Sequence, residues 1–307
     1  MKRIIILAFS LLFTCAFALN AQTTSEDFQT RYQNLVKRVG AAGIGVETLV
    51  DRWEKAFPDD PAMLEARYNY YLEKSRTTTL VAKDTDRYMG NKPALTLKDS
   101  LDRDVRYFEE TFYDDSLFAL SSQAIDKAIR LYPDRIDLRF DKVTALTQYE
   151  KESPDMAASA LAGLIDYNAV SHPAWKVGDR VIDAETFEAA VQEYCFAFYT
   201  IGSPVSYEAF LSLSEKMLTY DPKSTLFLTN VGTYWLIAKN DTKKALKCYN
   251  KVLKLDPENY TAVKNCIILA HKDRNTKLEK KYLPTLIKIT EDEREKASAE
   301  ARLKSLD

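Results

Sequence analysis

The sequence is poor in glycine, histidine and cysteine, and each shortage excludes a class of protein. Eight glycines in 307 residues fall well below the usual ~7%, too few for glycine-rich phosphate loops or an all-β fold with many tight turns. The two histidines, His172 and His271, lie in different regions and fit neither a zinc-protease motif nor a nucleophile elbow. Four cysteines without a C-x-x-C spacing indicate neither a zinc site nor a disulfide framework.

Charged residues are plentiful, but the two signs nearly balance. The chain has 43 basic and 45 acidic residues, a net charge of −2, which gives no electrostatic footprint for nucleic acid or an anionic membrane. A composition of 46% hydrophobic and 29% charged residues is typical of a folded chain. We therefore expect a mainly helical protein with no nucleic-acid partner.

The first 21 residues predict a secretory signal peptide. Lys2 and Arg3 precede an apolar stretch over 4–19, and a polar sequence begins after Ala21, which is the order of regions in such a leader. The apolar stretch is shorter than the ~20 residues that cross a bilayer. The expected protein is thus exported to the periplasm or cell envelope without a transmembrane anchor.

Two alternatives remain open at this leader. Cleavage after Ala21 is the first interpretation, and the Ala16-Phe17-Ala18 triplet offers a second cleavage site. Cys15 allows a lipoprotein, in which the thiol is acylated and becomes the new amino terminus. The apolar residues that follow Cys15 favour ordinary cleavage over acylation.

A short phrase recurs four times along the chain. In each copy a lysine precedes a small or flexible apolar residue, and a proline follows six residues after the lysine. The copies are Lys55 to Pro61, Lys127 to Pro133, Lys216 to Pro222 and Lys251 to Pro257. Helical spacing upstream of each proline indicates a helix that the proline ends. Eight residues after the prolines stand Asn69, Asp141, Asn230 and Asn265.

The best copy resembles the tetratricopeptide repeat (TPR) family, whose unit of about 34 residues is a pair of helices. The signature positions are occupied by Leu228, Val231, Gly232, Trp235, Ala245, Tyr249, Val252 and Pro257. The resemblance is strong over 206–272, fair over 115–163 and weak over 46–74. It implies an all-α superhelix or solenoid, in which stacked hairpins bury stripes that one hairpin cannot bury alone.

The helical period fails between 75 and 114. A β-branched run over 77–81 and a turn at Gly90-Asn91-Lys92-Pro93 predict a small β-hairpin or ordered loop near 77–113. The predicted organisation comprises a signal peptide at 1–21, N-terminal helices with a TPR-like unit at 22–74, the insertion at 75–114, irregular TPR-like helices at 115–200, TPR-like repeats at 201–290 and a polar capping helix at 291–307.

Catalytic templates do not fit this chain. Gly43 and Gly45 lack the third glycine of a dinucleotide loop, and no phosphate-binding loop exists. The adjacent acids Glu109 and Glu110 specify no separation across a sugar, as glycoside cleavage requires. We expect no catalytic residue, no cofactor and no metal, and hence no enzyme.

The TPR resemblance implies a protein or peptide partner, because first helices of such pairs line a concave face that holds extended peptides. Carried over through the proline register, this face takes Asn69, Thr229, Asn230, Thr233, Lys264, Asn265, His271 and Lys272. Asparagine donates to and accepts from a peptide backbone, and lysine meets a carboxylate. The alternative is that the asparagines bond neighbouring helices and the lysines are solvated.

A carbohydrate-binding protein of the periplasm or cell surface is the alternative function. The chain has 18 Tyr, 14 Phe and 3 Trp, and aromatic rings stack on sugars. The candidates are Tyr68, Tyr70, Tyr71 and Trp175. Most aromatic residues fall on helical core stripes, so peptide binding is preferred.

Overall fold

The computed structural model describes residues 23–306, which form a solenoid-like row of helices with a small inserted sheet. The predicted all-α repeat architecture is confirmed. In that range the helices are α1 (Ser25–Val39), α2 (Val46–Ala56), α3 (Pro61–Ser75), α4 (Asp115–Leu131), α5 (Ile136–Glu150), α6 (Asp155–Ser171), α7 (Ala184–Ile201), α8 (Pro204–Tyr220), α9 (Thr225–Ile237), α10 (Thr242–Leu255), α11 (Tyr260–Lys272), α12 (Thr276–Ile289) and α13 (Glu293–Ser305). The predicted leader and Cys15 lie outside the described residues.

The helices pair in chain order into six antiparallel hairpins, from α1/α2 to α11/α12, and α13 packs on α12. Contacts run mainly within a hairpin and to the next one, which is the one-dimensional arrangement of repeat proteins. The first helix of each pair packs near the first helices of its neighbours. We call the surface formed by α3, α5, α7, α9 and α11 the first-helix face.

Four junctions between hairpins share one proline turn, at Pro58, Pro133, Pro222 and Pro257. The residue before each proline donates its N–H to a helix carbonyl four residues earlier, at 2.8–2.9 Å. Its own carbonyl accepts from the residue three positions later, at 3.1–3.3 Å. Each turn therefore closes one helix and positions the start of the next.

These turns correct the first copy of the register by three residues. Pro58 is the equivalent proline, whereas Pro61 begins α3, where the missing N–H of proline would have no helical partner anyway. Trp53, rather than Ala56, then corresponds to the buried apolar residues Ala128, Met217 and Val252. The position eight residues after the proline is Ala66, so Asn69 was assigned to the wrong register.

The insertion after α3 is a three-stranded antiparallel sheet, one strand larger than a hairpin. It consists of β1 (Arg76–Lys83), β2 (Leu95–Lys98) and β3 (Asp104–Tyr113) in the order β1-β3-β2. β1 pairs with β3 over its whole length, and β2 pairs with Asp104–Tyr107 alone. The sheet thus occupies the turn between the two helices of the second hairpin.

The junction between α6 and α7 is extended, as its sequence predicts. It holds the short strands β4 (Lys176–Val177) and β5 (Arg180–Val181), and the Lys176 N–H donates to the Asp134 carbonyl at 2.9 Å. Asp183 caps α7 by accepting from the Thr186 N–H at 2.8 Å. This hairpin therefore lies against the proline turn of the preceding junction.

The core has two parts that meet at α9. One runs from Phe28 to Tyr234, and the other runs from Leu228 to Ala299. Cys195 and Cys266 are buried in these parts, and both are free thiols, as is Cys248. Burial raises the pKa of the Cys195 thiol to about 12, so this cysteine behaves as a small apolar side chain.

Candidate functional site

Asn230 lies on α9 between two hairpins, and it is 6% exposed. Its Nδ2 donates to Gln192 Oε1 at 2.6 Å and to Ser214 Oγ at 3.2 Å. Its Oδ1 accepts from Gln192 Nε2 at 3.2 Å. Both amide donors and the acceptor are therefore used inside the protein, which leaves Asn230 as a link between α7, α8 and α9.

The two threonines of α9 also bond within the protein. Thr229 Oγ1 donates to the Thr225 carbonyl at 2.7 Å, and Thr233 Oγ1 donates to the Thr229 carbonyl at 3.0 Å. The Thr233 hydroxyl lies 3.3 Å from the Tyr249 hydroxyl of α10. Asn265 is half-buried and interacts with the same Tyr249 hydroxyl.

The cations predicted on α11 have partners at the C-terminal end of the stack. Lys264 Nζ lies 2.8 Å from Glu295 Oε1 and 2.9 Å from the Tyr260 hydroxyl. These hydrogen bonds, that from Glu295 first, raise the pKa of Lys264. Lys272 is exposed and bonds Asn240 Oδ1.

His271 contributes to the attachment of the last helix. Its Nδ1 lies 3.1 Å from Glu279 Oε1, and Arg302 Nε of α13 donates to Glu279 Oε2 at 2.7 Å. Glu279 is fully buried, and the hydrogen bond from Arg302 lowers the pKa of its carboxyl. This ion pair fixes α13 over the apolar end of the stack.

The structure therefore does not gather the eight predicted residues into one exposed surface. Asn69 is exposed on α3, while those on α9 and α11 bond mainly to neighbouring helices. Their role in binding a partner stays a prediction.

An acidic group on α3 and α5 lies on the first-helix face, and the sequence did not reveal it. Glu65 Oε1 lies 2.6 Å from Arg135 Nη2, and Asp137 Oδ1 lies 2.8 Å from Arg135 Nε. Asp141, one turn after Asp137 on α5, is exposed and has no ion pair within residues 23–306. Three carboxylates thus share one guanidinium. We call Glu65, Asp137 and Asp141 the acidic group.

The acidic group is strained electrostatically. Desolvation among neighbouring first helices, and then the charges of Asp137 and Glu65, raise the pKa of Asp141 to about 6. Desolvation also raises the pKa of Glu65, although Arg135 opposes the rise. A carboxylate whose charged form is destabilised in this way gains most from an added cation.

Two tyrosines hold the backbone of α5 beside this group. The Tyr68 hydroxyl of α3 donates to the Asp141 carbonyl at 3.0 Å, and the Tyr194 hydroxyl of α7 donates to the Phe140 carbonyl at 2.9 Å. Three helices are therefore joined at the level of Asp141. The signal in the sequence was Asp141 itself, which occupies the register position of the asparagines.

The aromatic residues proposed for sugar stacking lie mostly in the core. Tyr68, Tyr70 and Trp175 are 3–4% exposed, and Trp175 stacks on Phe187 with ring centroids 6.2 Å apart. Tyr71 is half-buried and lies under the Arg67 guanidinium. These four side chains form no exposed aromatic strip.

Two other kinds of feature are missing from residues 23–306. No helix in this range is long and apolar enough to cross a membrane. In the same range no three histidine, cysteine or acidic side chains are grouped as metal ligands would be.

No protein-family profile and no curated protein matches the sequence. Among solved structures, the chain is similar to the flexible tandem repeat domain of a protein from the bacterial cellulose synthase complex. The identity is 13% and the TM-score is 0.28, over 93% of this chain and 98% of that chain. A likeness this low supports no argument about function, so the fold rests on the helix hairpins described above.

Proposed function

We propose that this protein is an exported, non-enzymatic scaffold whose first-helix face binds a basic segment of a protein or peptide. The acidic group carries the proposal, because its three carboxylates have one guanidinium between them. The TPR-like arrangement of hairpins supports an extended docking surface rather than a closed pocket. The predicted leader supports a location in the periplasm or cell envelope.

The charge balance favours a lysine or arginine from the partner. Arg135 reaches Glu65 and Asp137, while Asp141 extends into solvent without a cation. A partner guanidinium could bond Asp141 in a bidentate manner, and such charge-assisted bonds are the strong ones. Binding would also relieve the repulsion between Asp141 and Asp137 on successive turns of α5.

Affinity capture from envelope extract with the purified mature chain tests this role. We expect Asp141→Lys to abolish recovery of the specific partner, because a cation then faces the basic segment. The control is Glu215→Lys, which makes the same charge change at an exposed position on the second helix α8. Equal recovery with both variants would remove the acidic group from the proposal.

The raised pKa of Asp141 predicts a pH-dependent stability difference. Because the folded-state pKa, about 6, exceeds the ~3.9 of an unfolded aspartate, protonation favours the folded state, and this stabilisation is lost as pH rises through 6. Asp141→Asn should therefore unfold at a higher temperature than the wild type at pH 7, and at a similar temperature at pH 4. A melting difference that does not change between these pH values would contradict the assignment.

Export predicts a defined amino terminus. The protein isolated from the cell envelope should begin at Gln22, as N-terminal sequencing or intact mass would show. A chain that begins with an acylated Cys15 would establish the lipoprotein alternative. A cytoplasmic chain that retains Lys2 and Arg3 would disprove export.

A further inference from the structure

The inserted sheet leaves one side of β3 partly open. β1 pairs with Arg106–Tyr113 on one side, but β2 covers Asp104–Tyr107 alone on the other. The stretch from Phe108 to Tyr113 therefore has no partner strand on the β2 side. We call this stretch the open edge of β3.

The hydrogen-bond phase shows which residues face the open edge. The Asp114 N–H donates to the Ser75 carbonyl at 2.8 Å, and the register continues this pairing, so even-numbered residues of β3 bond β1. In an antiparallel ladder the alternate residues bond the other side. The Tyr107 carbonyl agrees, since it accepts from the Ala94 N–H of the β2 side at 2.8 Å.

Glu109 and Thr111 thus direct their N–H and C=O groups at the open edge. No hydrogen bond within residues 23–306 reaches these main-chain groups from that side. Two donors and two acceptors are therefore available in the spacing of a β-ladder. A polypeptide main chain is the ligand that matches this spacing.

A cleft of about 850 Å³ borders the open edge, within the ~300–1,000 Å³ of typical binding clefts. Tyr88, Asn91, Lys92 and Ala94 form one wall. The ends of α3 and α5 form the other wall through Glu73, Gln148 and Lys151. The cleft continues the line of β2, so a strand placed there would extend β2 along β3.

The floor of the cleft is held in place by an ion-pair group. Glu110 is 9% exposed, and it lies 2.9 Å from Lys83 Nζ and 2.5 Å from Lys151 Nζ. Lys83 is on β1 and Lys151 follows α5, so these pairs fix β3 relative to the helices. A fixed edge lowers the entropy lost when a peptide binds.

We propose that the open edge of β3 binds an extended peptide as an added antiparallel strand, with a lysine or arginine of the peptide opposite Glu109. Main-chain bonds to Glu109 and Thr111 provide the affinity, as in other β-strand additions. Glu109 is exposed and has no ion pair in the described range. Opposite charges across neighbouring strands stabilise such pairs. This site is separate from the first-helix face.

The probe is a fluorescein-labelled, acetylated and amidated peptide Thr-Val-Lys-Val-Thr-Val, measured by fluorescence polarisation with the full chain. We expect it to bind more tightly than the same peptide with glutamate in place of lysine. N-methylation of alternate peptide amides should weaken binding at least about tenfold, because it removes donors to β3. Equal binding of the methylated probe would overturn the proposal.

Two proline variants test the edge from the protein side. Thr111→Pro removes an N–H directed at the open edge, whereas Leu80→Pro removes an N–H on the outer edge of β1, by the same phase. Neither change removes a bond between β1 and β3, and proline is tolerated at sheet edges. We expect about tenfold weaker binding for Thr111→Pro and no change for Leu80→Pro. Unchanged affinity of Thr111→Pro would contradict strand addition.

Further measurements separate this site from the first-helix face and from sugar binding. Asp141→Lys should leave the affinity of the lysine probe unchanged, and a loss there would assign the probe to the acidic group instead. Failure of the probe peptides to bind at millimolar concentration would disprove the proposal. Binding of a cello-oligosaccharide to the cleft without peptide binding would do the same and would favour a sugar ligand.

Discussion

Replacing Trp53 with alanine is expected to lower the free energy of unfolding by roughly 3–5 kcal/mol, the usual cost of removing a buried large aromatic side chain. Trp53 is 0% exposed and stacks on Phe28 with ring centroids 6.1 Å apart. Its Nε1 donates to Ser25 Oγ at 3.0 Å, and that hydroxyl donates to Asp60 at 2.7 Å. Asp60 in turn caps α3 by accepting from the Met63 N–H. One side chain therefore joins α1, α2 and α3.

Two tryptophan controls separate the contributions in urea unfolding followed by circular dichroism. Trp53→Phe keeps an aromatic ring but loses the Nε1 donor, so it should cost less than the alanine change, though more than the ~1 kcal/mol of one hydrogen bond. Trp235→Ala removes a half-buried ring at the edge of both core parts and should cost less than Trp53→Ala. Equal losses at Trp53 and Trp235 would contradict the assigned burial.

The proline register predicted most of the hairpin order because each turn depends on local geometry. Pro133, Pro222 and Pro257 each occupy the second position of the same turn, which the sequence spacing captured. The first turn contains both Pro58 and Pro61, and a lysine happened to lie six residues before the wrong one. The buried aromatic at Trp53 was the signal that would have selected Pro58.

The insertion was predictable for the same local reason. A β-branched run and a glycine turn indicate strands whatever surrounds them. The open edge was not predictable, because it depends on how far β2 extends along β3. That length is set by where the chain returns from the turn at Gly90, and neighbouring residues alone do not determine it.

The candidate site was the least predictable part, because its partners are distant in the chain. Asn230 bonds Gln192, which is 38 residues away on the previous hairpin, and no spacing rule relates the two. Likewise Glu65 and Arg135 are 70 residues apart. The register identified which positions lie at hairpin interfaces, but it could not distinguish an internal partner from an external one.

Gly232 allows the close approach of α9 and α10. A Cβ atom added at this position would lie 2.5 Å from Cε1 of Tyr249, and Tyr249 is 0% exposed, so neither the ring nor the backbone has room to move. Gly232→Ala is therefore expected to destabilise the protein by roughly 1–3 kcal/mol, as overpacked cores do. The gain in helix propensity from glycine to alanine, about 1 kcal/mol, only partly offsets this.

Gly163 provides a matched control, since it lies inside α6 and an added Cβ there meets nothing within 4 Å. Gly163→Ala should stabilise the protein by about 0.5–1 kcal/mol in the same urea titration, so one substitution type gives opposite signs at two helical glycines. In a Tyr249→Leu background the penalty of Gly232→Ala should shrink, because the atom that it strikes has gone. A penalty that persists there would show that the glycine serves the backbone of α9 rather than its contact with Tyr249.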